Sequence, residues 1–395
     1  MLLFVVLFIV FMLHIEFLLR FLLLGTDETT YFAFTARYPF DRAIAMQSLL
    51  FVLACMTVFA LGYMFFYSRR KFDPPTTALY NLRPYRREIR LLSLLSGILL
   101  VVALILAFTT KLSYESIVEI KQQYSFIFQS RMIMLLLMAH LLLNIPLKQI
   151  LTCREFRLLR WILGSYMLVT ALLQVRSEFF EIAQIVAFSQ LMWYRDKIKL
   201  KYVALLICAL IVPNLIVLGR ITIPRDPGVL IGGIFSFEYS TIFNNILSAA
   251  ISNTHKLSDG LTFAPTLKLL VPSPLRMLFG IEVPPNTYYE DISLEANVFG
   301  GGFSFIAEMY SNFKWYAPLV FGGLGAMLGY MNARAARVGR VPLFYAAAPL
   351  LFGYFILAFR NDFGIFLKSS IQLLLIAFTL AILMRMRLIK RHPAI

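Results

Sequence analysis

Arginines stand in short polar turns between the long apolar runs of this sequence. Arg176 and Arg360 each lie in a turn of a few residues, and Arg220 and Arg225 follow another apolar run. A guanidinium group is planar and always charged, and it binds phosphate through two parallel hydrogen bonds. These arginines therefore predict a phosphate or pyrophosphate site. The alternative is a structural role, in which they pair with nearby acidic residues or reach the membrane surface.

Two carboxylates could serve as a general base beside such a site. Glu238 lies in a stretch of aromatic residues, and Glu308 follows a glycine turn that leads into a predicted helix. A positioned carboxylate can take the proton of an attacking hydroxyl group. The alternative for each is a helix cap or an ion pair. Arg276 and Lys314 supply further positive charge in the same part of the chain.

The elements that must position these residues are membrane helices. Apolar residues make up 60% of the 395 positions and charged residues only 15%, whereas soluble chains carry charge on about a quarter of their residues. Apolar runs of roughly 17–25 residues recur, which is the length that crosses a bilayer core. Because these runs do not alternate, they favour helices over a barrel. The predicted fold is an all-α polytopic membrane protein with about ten transmembrane helices.

The predicted spans are 2–25, 43–67, 91–110, 132–147, 159–175, 178–194, 202–221, 315–333, 341–359 and 363–384.

The basic residues predict how these spans are oriented. Lysine and arginine cluster in alternate connections, at 69–90, 148–160, 195–201, 334–340 and 385–391. Cytoplasmic loops carry such an excess, so both termini are expected in the cytoplasm and the arginine turns on the opposite face. The net charge of +16 is thereby assigned to orientation and lipid contact, and no nucleic-acid partner is expected.

One long connection, 222–314, is predicted to lie outside the cytoplasm within a single integral membrane domain, 1–395. It is rich in aromatic residues and proline and contains helix-like segments near 229–251 and 303–312. A connection of this length is more often functional than a passive linker. The glycines at 322, 325 and 329 predict close helix packing. The three cysteines are widely spaced, and neither a metal site nor a cofactor motif is recognised.

The long loop and its exit resemble a known family. The segments that carry the resemblance are Ser258–Leu261, Leu270–Pro274, Asn297, Gly300–Ser304, Glu308-x-Tyr310-x-Asn312-Phe313, the glycine-rich span that follows, and the Arg176 and Arg360 turns. From about 159 to its end the chain resembles the Wzy-type oligosaccharide repeat-unit polymerases, which act in O-antigen, capsule and common-antigen pathways. Lys314 is a departure, because it stands where that family usually has glycine.

The resemblance implies a GT-C-like fold and a metal-independent glycosyltransferase in the bacterial inner membrane, with its active site facing the periplasm. The enzyme would transfer a glycan from undecaprenyl pyrophosphate to a lipid-linked repeat unit. Further expected partners are membrane lipids, a chain-length regulator and a flippase. On this reading Glu308 or Glu238 takes the proton. The residues expected to bind pyrophosphate are Arg176, Arg220 and Arg360, assisted by Arg225, Arg276 or Lys314.

Two alternatives remain open. An O-antigen ligase is a related enzyme with a large outer loop, and a role for His255 without one for Glu308 would favour it. A lipid-linked glycan flippase or other transporter would carry polar residues deep within many spans. The charges here concentrate at the outer ends of the predicted helices instead.

Overall fold

Helices form almost all of the structure. The computed structural model describes residues 2–25, 28–31, 34–67, 85–109, 125–172, 176–193, 240–252, 262, 268, 270–271, 276, 278–282, 304–335, 341–359 and 363–389. The helices are α1 (Leu2–Leu24), α2 (Arg42–Tyr67), α3 (Arg86–Thr109), α4 (Ser125–Asn144), α5 (Leu147–Thr152), α6 (Arg157–Leu172), α7 (Arg176–Trp193), α8 (Ser240–Ser252), α9 (Phe305–Phe313), α10 (Ala317–Ala335), α11 (Ala348–Ala358) and α12 (Phe363–Ile389). Short 3₁₀ turns cover Arg154–Phe156, Lys314–Tyr316 and Leu343–Ala347.

The described residues are predominantly helical, as predicted, and one small hairpin accompanies the helices. Strand β1 (Glu28–Tyr31) pairs antiparallel with β2 (Phe34–Arg37), and Glu28 faces Arg37. The segment separates α1 from α2, and its run of Thr, Tyr and Phe suits a strand. The hydropathy pattern did not reveal it because the pair is only four residues long on each side.

Four helices in the described part of the chain are long and apolar enough to cross a membrane. They lie at Leu2–Leu24, Arg42–Tyr67, Arg86–Ile105 and Phe366–Met384. Shorter apolar helices lie at Ser130–Asn144, Thr241–Ser252 and Leu343–Ala358. The predicted spans at 159–175, 178–194 and 315–333 are also largely helical, while the predicted span 202–221 lies outside the described residues. The membrane character is therefore supported, and the number of spans stays a prediction.

The chain divides into two compact units. The first contains Met1–Arg70, Pro224–Tyr330 and Leu351–Gln372, and the second contains Lys71–Ile223, Met331–Leu350 and Leu373–Ile395. In the second unit α3 packs on α4 and α6, and α7 packs on α4 and α6. Asn144, the last residue of α4, binds the backbone of Val341. Its side-chain amide accepts from the Val341 N–H at 2.7 Å and donates to the Val341 carbonyl at 3.1 Å.

In the first unit the helix α8 is buried among α1, α2 and α9. This helix belongs to the connection 222–314, which the sequence places outside the membrane spans. Its polar residues Thr241, Asn244, Asn245 and Ser248 are all buried. The helix is therefore held against the apolar helices by polar side chains, which a hydropathy pattern cannot predict.

Candidate functional site

The Glu308 carboxylate lies at the centre of a buried hydrogen-bond network in the first unit. Glu308 is fully buried. Its Oε1 accepts a hydrogen bond from the Thr262 hydroxyl at 2.8 Å, and its Oε2 accepts one from the backbone N–H of Phe363. The three residues come from segments that are 46 and 55 residues apart in sequence. The carboxylate thus joins the long loop, α9 and the start of α12.

Local sequence explains how α9 presents this carboxylate. Ser304 caps the helix, because its hydroxyl accepts from the Ala307 N–H at 3.3 Å. Serine is favoured at this position since it satisfies an N–H group that has no partner within the helix. Glu308 follows in the first turn and Asn312 lies one turn later, on the same face of the helix.

Asn312 fixes Thr262 in place. Its Nδ2 donates to the Thr262 hydroxyl at 2.7 Å and to the Glu308 backbone carbonyl at 2.8 Å. Its Oδ1 accepts from the Thr262 N–H at 2.8 Å. The Thr262 hydroxyl accepts from Asn312, so its own proton is directed at Glu308. The Glu-x-x-x-Asn spacing indicates that the two side chains share a face, but no local signal in the sequence identified Thr262.

Aromatic side chains pack together on the segments that carry this network. The ring of Phe305 lies 5.6 Å from the rings of both Phe359 and Phe363, measured between centroids. Phe305, Phe359 and Phe363 are all buried. A carboxylate in such surroundings requires donors to both oxygens, because burying an unsolvated charge is costly. The N-terminus of α12 also favours negative charge through its peptide dipoles.

These contacts point to what Glu308 can do chemically. Thr262 and Phe363 donate to its two oxygens, which stabilises the ionised form and fixes the chain at Phe363. Arg360 precedes Phe363 by three residues. Glu308 is therefore placed to hold the start of α12 through Phe363, and its role as the proton acceptor stays a prediction.

Lys314, the departure noted in the sequence, has an unusual backbone. Its φ is 50° and its ψ is −137°, and among the described residues it is the one non-glycine residue with a positive φ. A side chain in such a sparsely populated region costs about 1–3 kcal/mol. Its Nζ lies 5.6 Å from the centre of the Tyr310 ring. Desolvation by burial lowers the pKa of the Lys314 ammonium.

The other predicted residues are only partly described. Arg176 is the first residue of α7, and its side chain is not among those described. Arg276 is half-buried, and its backbone carbonyl accepts from the Ile281 N–H at 2.9 Å. Arg220, Arg225, Arg360 and Glu238 lie outside the described residues. The meeting of the arginines at one site thus stays a prediction.

A further arginine, which the sequence analysis did not single out, forms an ion pair in the second unit. Arg131 on α4 donates through Nη2 to Oε1 of Glu181 on α7 at 3.1 Å. The side chains are only 18% and 7% exposed, so the pair is well shielded from solvent. Glu181 lies five residues after Arg176 on the same helix. The ion pair therefore fixes the first turns of the helix that Arg176 begins.

Comparisons with protein family models, with curated proteins and with solved structures find no match to this chain.

Proposed function

We propose that this protein is a membrane glycosyltransferase that polymerises oligosaccharide repeat units carried on undecaprenyl pyrophosphate. The observation that best supports the proposal is the contact between Glu308 and the Phe363 N–H. It joins the glycine-turn motif that resembles the polymerase family to the helix that follows Arg360. These two motifs, far apart in sequence, are both among the segments that carry the resemblance.

The proposed reaction is a transfer of a glycan between two lipid carriers. The bond between the anomeric carbon of the donor glycan and its pyrophosphate oxygen breaks, and the pyrophosphate keeps the electron pair. A hydroxyl oxygen of the acceptor repeat unit bonds to that carbon, and its proton passes to a carboxylate, Glu308 or Glu238. Arg176, Arg220 and Arg360 stabilise the negative charge that develops on the leaving pyrophosphate, with Arg225, Arg276 or Lys314 assisting.

The proposal includes a location and a topology. The apolar helices are placed in the bacterial inner membrane as about ten spans, with both termini in the cytoplasm and the arginine turns facing the periplasm. Lipid-linked substrates would then reach the arginines laterally from the bilayer. A GT-C-like arrangement of the helices is part of the same proposal.

A surface-glycan gel tests this proposal. The gene is deleted in its source organism and replaced by wild type, Arg176→Ala, Arg360→Ala or Arg157→Ala. Arg157 is an exposed residue at the start of α6 and serves as the control. Loss of a positioned cation in an oxyanion-type site costs about 10²–10³-fold in rate. We expect the first two variants to leave only single repeat units attached, while Arg157→Ala restores the full ladder.

Other outcomes contradict the proposal in distinct ways. Finished polymer that accumulates on its lipid carrier, with no attached repeats, identifies a ligase. An unchanged ladder after deletion excludes polymerisation and favours transport. Wild-type ladders from both Arg176→Ala and Arg360→Ala exclude the arginine mechanism.

A pair of variants separates two roles of Glu308. Glu308→Gln removes the base and one acceptor, whereas Thr262→Val keeps the carboxylate but removes the hydroxyl that donates to it. Loss of a general base lowers the rate by about 10²–10⁴-fold. If Glu308 is the base, Glu308→Gln abolishes the ladder and Thr262→Val keeps most of it. If Glu308 only positions the Arg360 turn, both variants shorten the ladder to a similar degree.

A further inference from the structure

Two large apolar side chains lie exposed within the long connection 222–314. Leu278 is 73% exposed and Phe279 is 68% exposed. They are adjacent in sequence, and no other large apolar side chain among the described residues of this connection is exposed. Apolar surface is stabilised when it leaves water, so such a pair favours contact with another apolar phase. We call these two residues the Leu278–Phe279 tip.

A defined backbone turn presents the tip. The Ile281 N–H donates to the Arg276 carbonyl at 2.9 Å, and Gly280 has a φ of 61°. This bond, with a glycine of positive φ just before its donor, is characteristic of the Schellman motif that ends many helices. Glycine suits the position because it has no Cβ to clash there. The tip therefore stands at the end of a helical turn that is closed by its own hydrogen bond.

Most other exposed apolar residues belong to helices that are long enough to span a membrane. Examples are Leu50 on α2, Leu94 on α3 and Phe378 on α12. Lipid acyl chains contact such residues in a membrane span. The tip needs a different explanation, because it belongs to a connection that hydropathy places outside the spans.

Exposed charged residues of opposite sign stand on either side of the tip in the sequence. Lys268 precedes it and Glu282 follows it, and both are exposed. A layer of zwitterionic headgroups holds phosphate and ammonium groups, so it accepts charges of both signs, whereas the acyl chains beneath it accept only apolar groups. The order charged, apolar, charged therefore fits a tip that reaches the boundary between headgroups and acyl chains.

The chain reaches the tip from segments that are packed on the membrane helices. The tip belongs to the first compact unit, which also contains the apolar helices α1 and α2. Earlier in the same connection, α8 is buried among those helices, and Thr262 donates to Glu308 on α9. The long connection thus packs on the membrane helices twice before it reaches the tip.

We propose that the Leu278–Phe279 tip inserts into the outer leaflet of the membrane and anchors the long connection there. The partner is the phospholipid bilayer, whose acyl chains contact the two apolar side chains. Insertion is shallow, about 5–10 Å below the headgroups, because a short turn needs water or headgroups for the backbone groups that it does not pair itself. Lys268 and Glu282 stay among the headgroups and water. This inference goes beyond the proposed glycosyl transfer and does not depend on it.

Site-specific labelling of the full-length protein measures the depth of the tip. The three native cysteines, Cys55, Cys153 and Cys208, are replaced by alanine, and Tm and gel filtration verify that this parent folds as the wild type does. Phe279→Cys and, as the matched control, Lys268→Cys then each carry one NBD fluorophore. Each protein is reconstituted at one copy per nanodisc, in phosphatidylethanolamine and phosphatidylglycerol. The quencher is either a doxyl group on the acyl chains or iodide in the water.

We expect the label in Phe279→Cys to emit at shorter wavelength than the label in Lys268→Cys. It should lose fluorescence with doxyl lipids and resist iodide, while the label in Lys268→Cys should respond to iodide and not to doxyl lipids. A doxyl group near the headgroup should quench the tip more than one near the end of the acyl chain, since the insertion depth is about 5–10 Å. Equal quenching of both labels by iodide would overturn the proposal.

A second pair of variants keeps the native cysteines. Phe279→Trp and Lys268→Trp are compared with wild type in brominated lipids, and we expect bromine to quench the added signal of the first variant alone. An unquenched signal in Phe279→Trp would overturn insertion. A shift of the NBD emission at Phe279→Cys that occurs only when several copies share one nanodisc would also overturn it, and would identify a second copy of this chain as the partner.

Discussion

The two ends of α2 make opposite kinds of helix contact. Towards its C-terminal end α2 meets α10 through glycines, where the backbones of the two helices approach each other directly. Towards its N-terminal end it meets α8 through a hydrogen bond between hydroxyl groups, Ser48 to Ser248 at 3.0 Å. One contact depends on the absence of side chains, and the other depends on particular polar atoms.

The glycine contact has no space for a side chain. A Cβ at Gly325 would collide with the Phe59 carbonyl oxygen, and one at Gly329 would collide with the Tyr63 carbonyl oxygen. A Cβ at Gly322 would come within 2.8 Å of the Val58 Cγ1. The predicted close packing of this glycine-rich span is thereby confirmed. Interfaces between membrane helices are enriched in small residues, which let the two backbones approach and pack closely.

The polar contact depends on hydrogen bonds between particular atoms and not on the absence of side chains. Asn244 on α8 accepts from His14 Nδ1 at 3.1 Å, and its Nδ2 lies 3.4 Å from the carbonyl oxygens of Leu13 and His14. Carbonyl oxygens only accept hydrogen bonds, so the Asn244 Nδ2 must be the atom that faces them. The Asn244 Oδ1 then faces the imidazole ring, and the His14 Nδ1–H donates to it. His14 lies in a π-helical turn, Phe11–Ile15, and such turns alter the regular carbonyl pairing of a helix.

The comparison predicts that the two helix contacts respond differently to substitution. The glycine contact fails when any side chain is added, because both backbones would have to move. The polar contact loses one hydrogen bond at a time, and each bond between membrane helices is worth about 0.6 kcal/mol on average. Three substitutions test this contrast, beginning with the largest expected effect.

Gly325→Val should be the most damaging. Two backbones must separate to admit the side chain, at a cost towards the upper end of about 1–3 kcal/mol. The yield of monodisperse protein in gel filtration and Tm in detergent measure the effect. Gly323→Val is the control, because a Cβ there meets no atom within 4 Å. Equal behaviour of the two variants would show that the close contact does not hold α2 and α10 together.

Asn244→Leu should have an intermediate effect. It keeps the branched skeleton of the side chain but removes the acceptor of His14 Nδ1–H and the donor to two carbonyls, which we expect to cost about 1–2 kcal/mol. Tm in detergent is the measurement. Ser252→Ala, at the exposed last residue of the same helix, should change stability by less than about 0.5 kcal/mol. A Tm for Asn244→Leu that matches this control would show that the amide does not hold α8.

Ser248→Ala should have the smallest effect of the three. It removes the hydroxyl that bonds Tyr38 at 2.7 Å and Ser48 at 3.0 Å, and we expect a loss of about 0.6–1.2 kcal/mol, since two average bonds are removed. The double variant Ser48→Ala/Ser248→Ala should cost about 0.6 kcal/mol more, because Ser48 also hydrogen-bonds the Tyr38 hydroxyl. A loss larger than that of Asn244→Leu would reverse the order argued here.

The same contrast explains how far the sequence could predict the fold and the candidate site. Hydropathy located α1, α2, α3 and α12 close to their observed bounds, because each is a long apolar run. It could not place α8 among them, since its buried face carries Thr241, Asn244, Asn245 and Ser248. Within the site, the Glu308–Asn312 spacing was readable from helical periodicity. The partners Thr262 and Phe363 were not, because they lie 46 and 55 residues away.

The hydrogen bond from Phe363 to Glu308 also sets an order of assembly during synthesis. The chain emerges from the ribosome from its N-terminus, so α9 and its buried carboxylate are made before α12 exists. The Phe363 N–H becomes available only when α12 has been made. A chain interrupted before Phe363 therefore lacks one donor to Glu308 and leaves Phe305 without the ring that Phe363 packs against it. The candidate site is complete only in a chain that has been synthesised beyond Phe363.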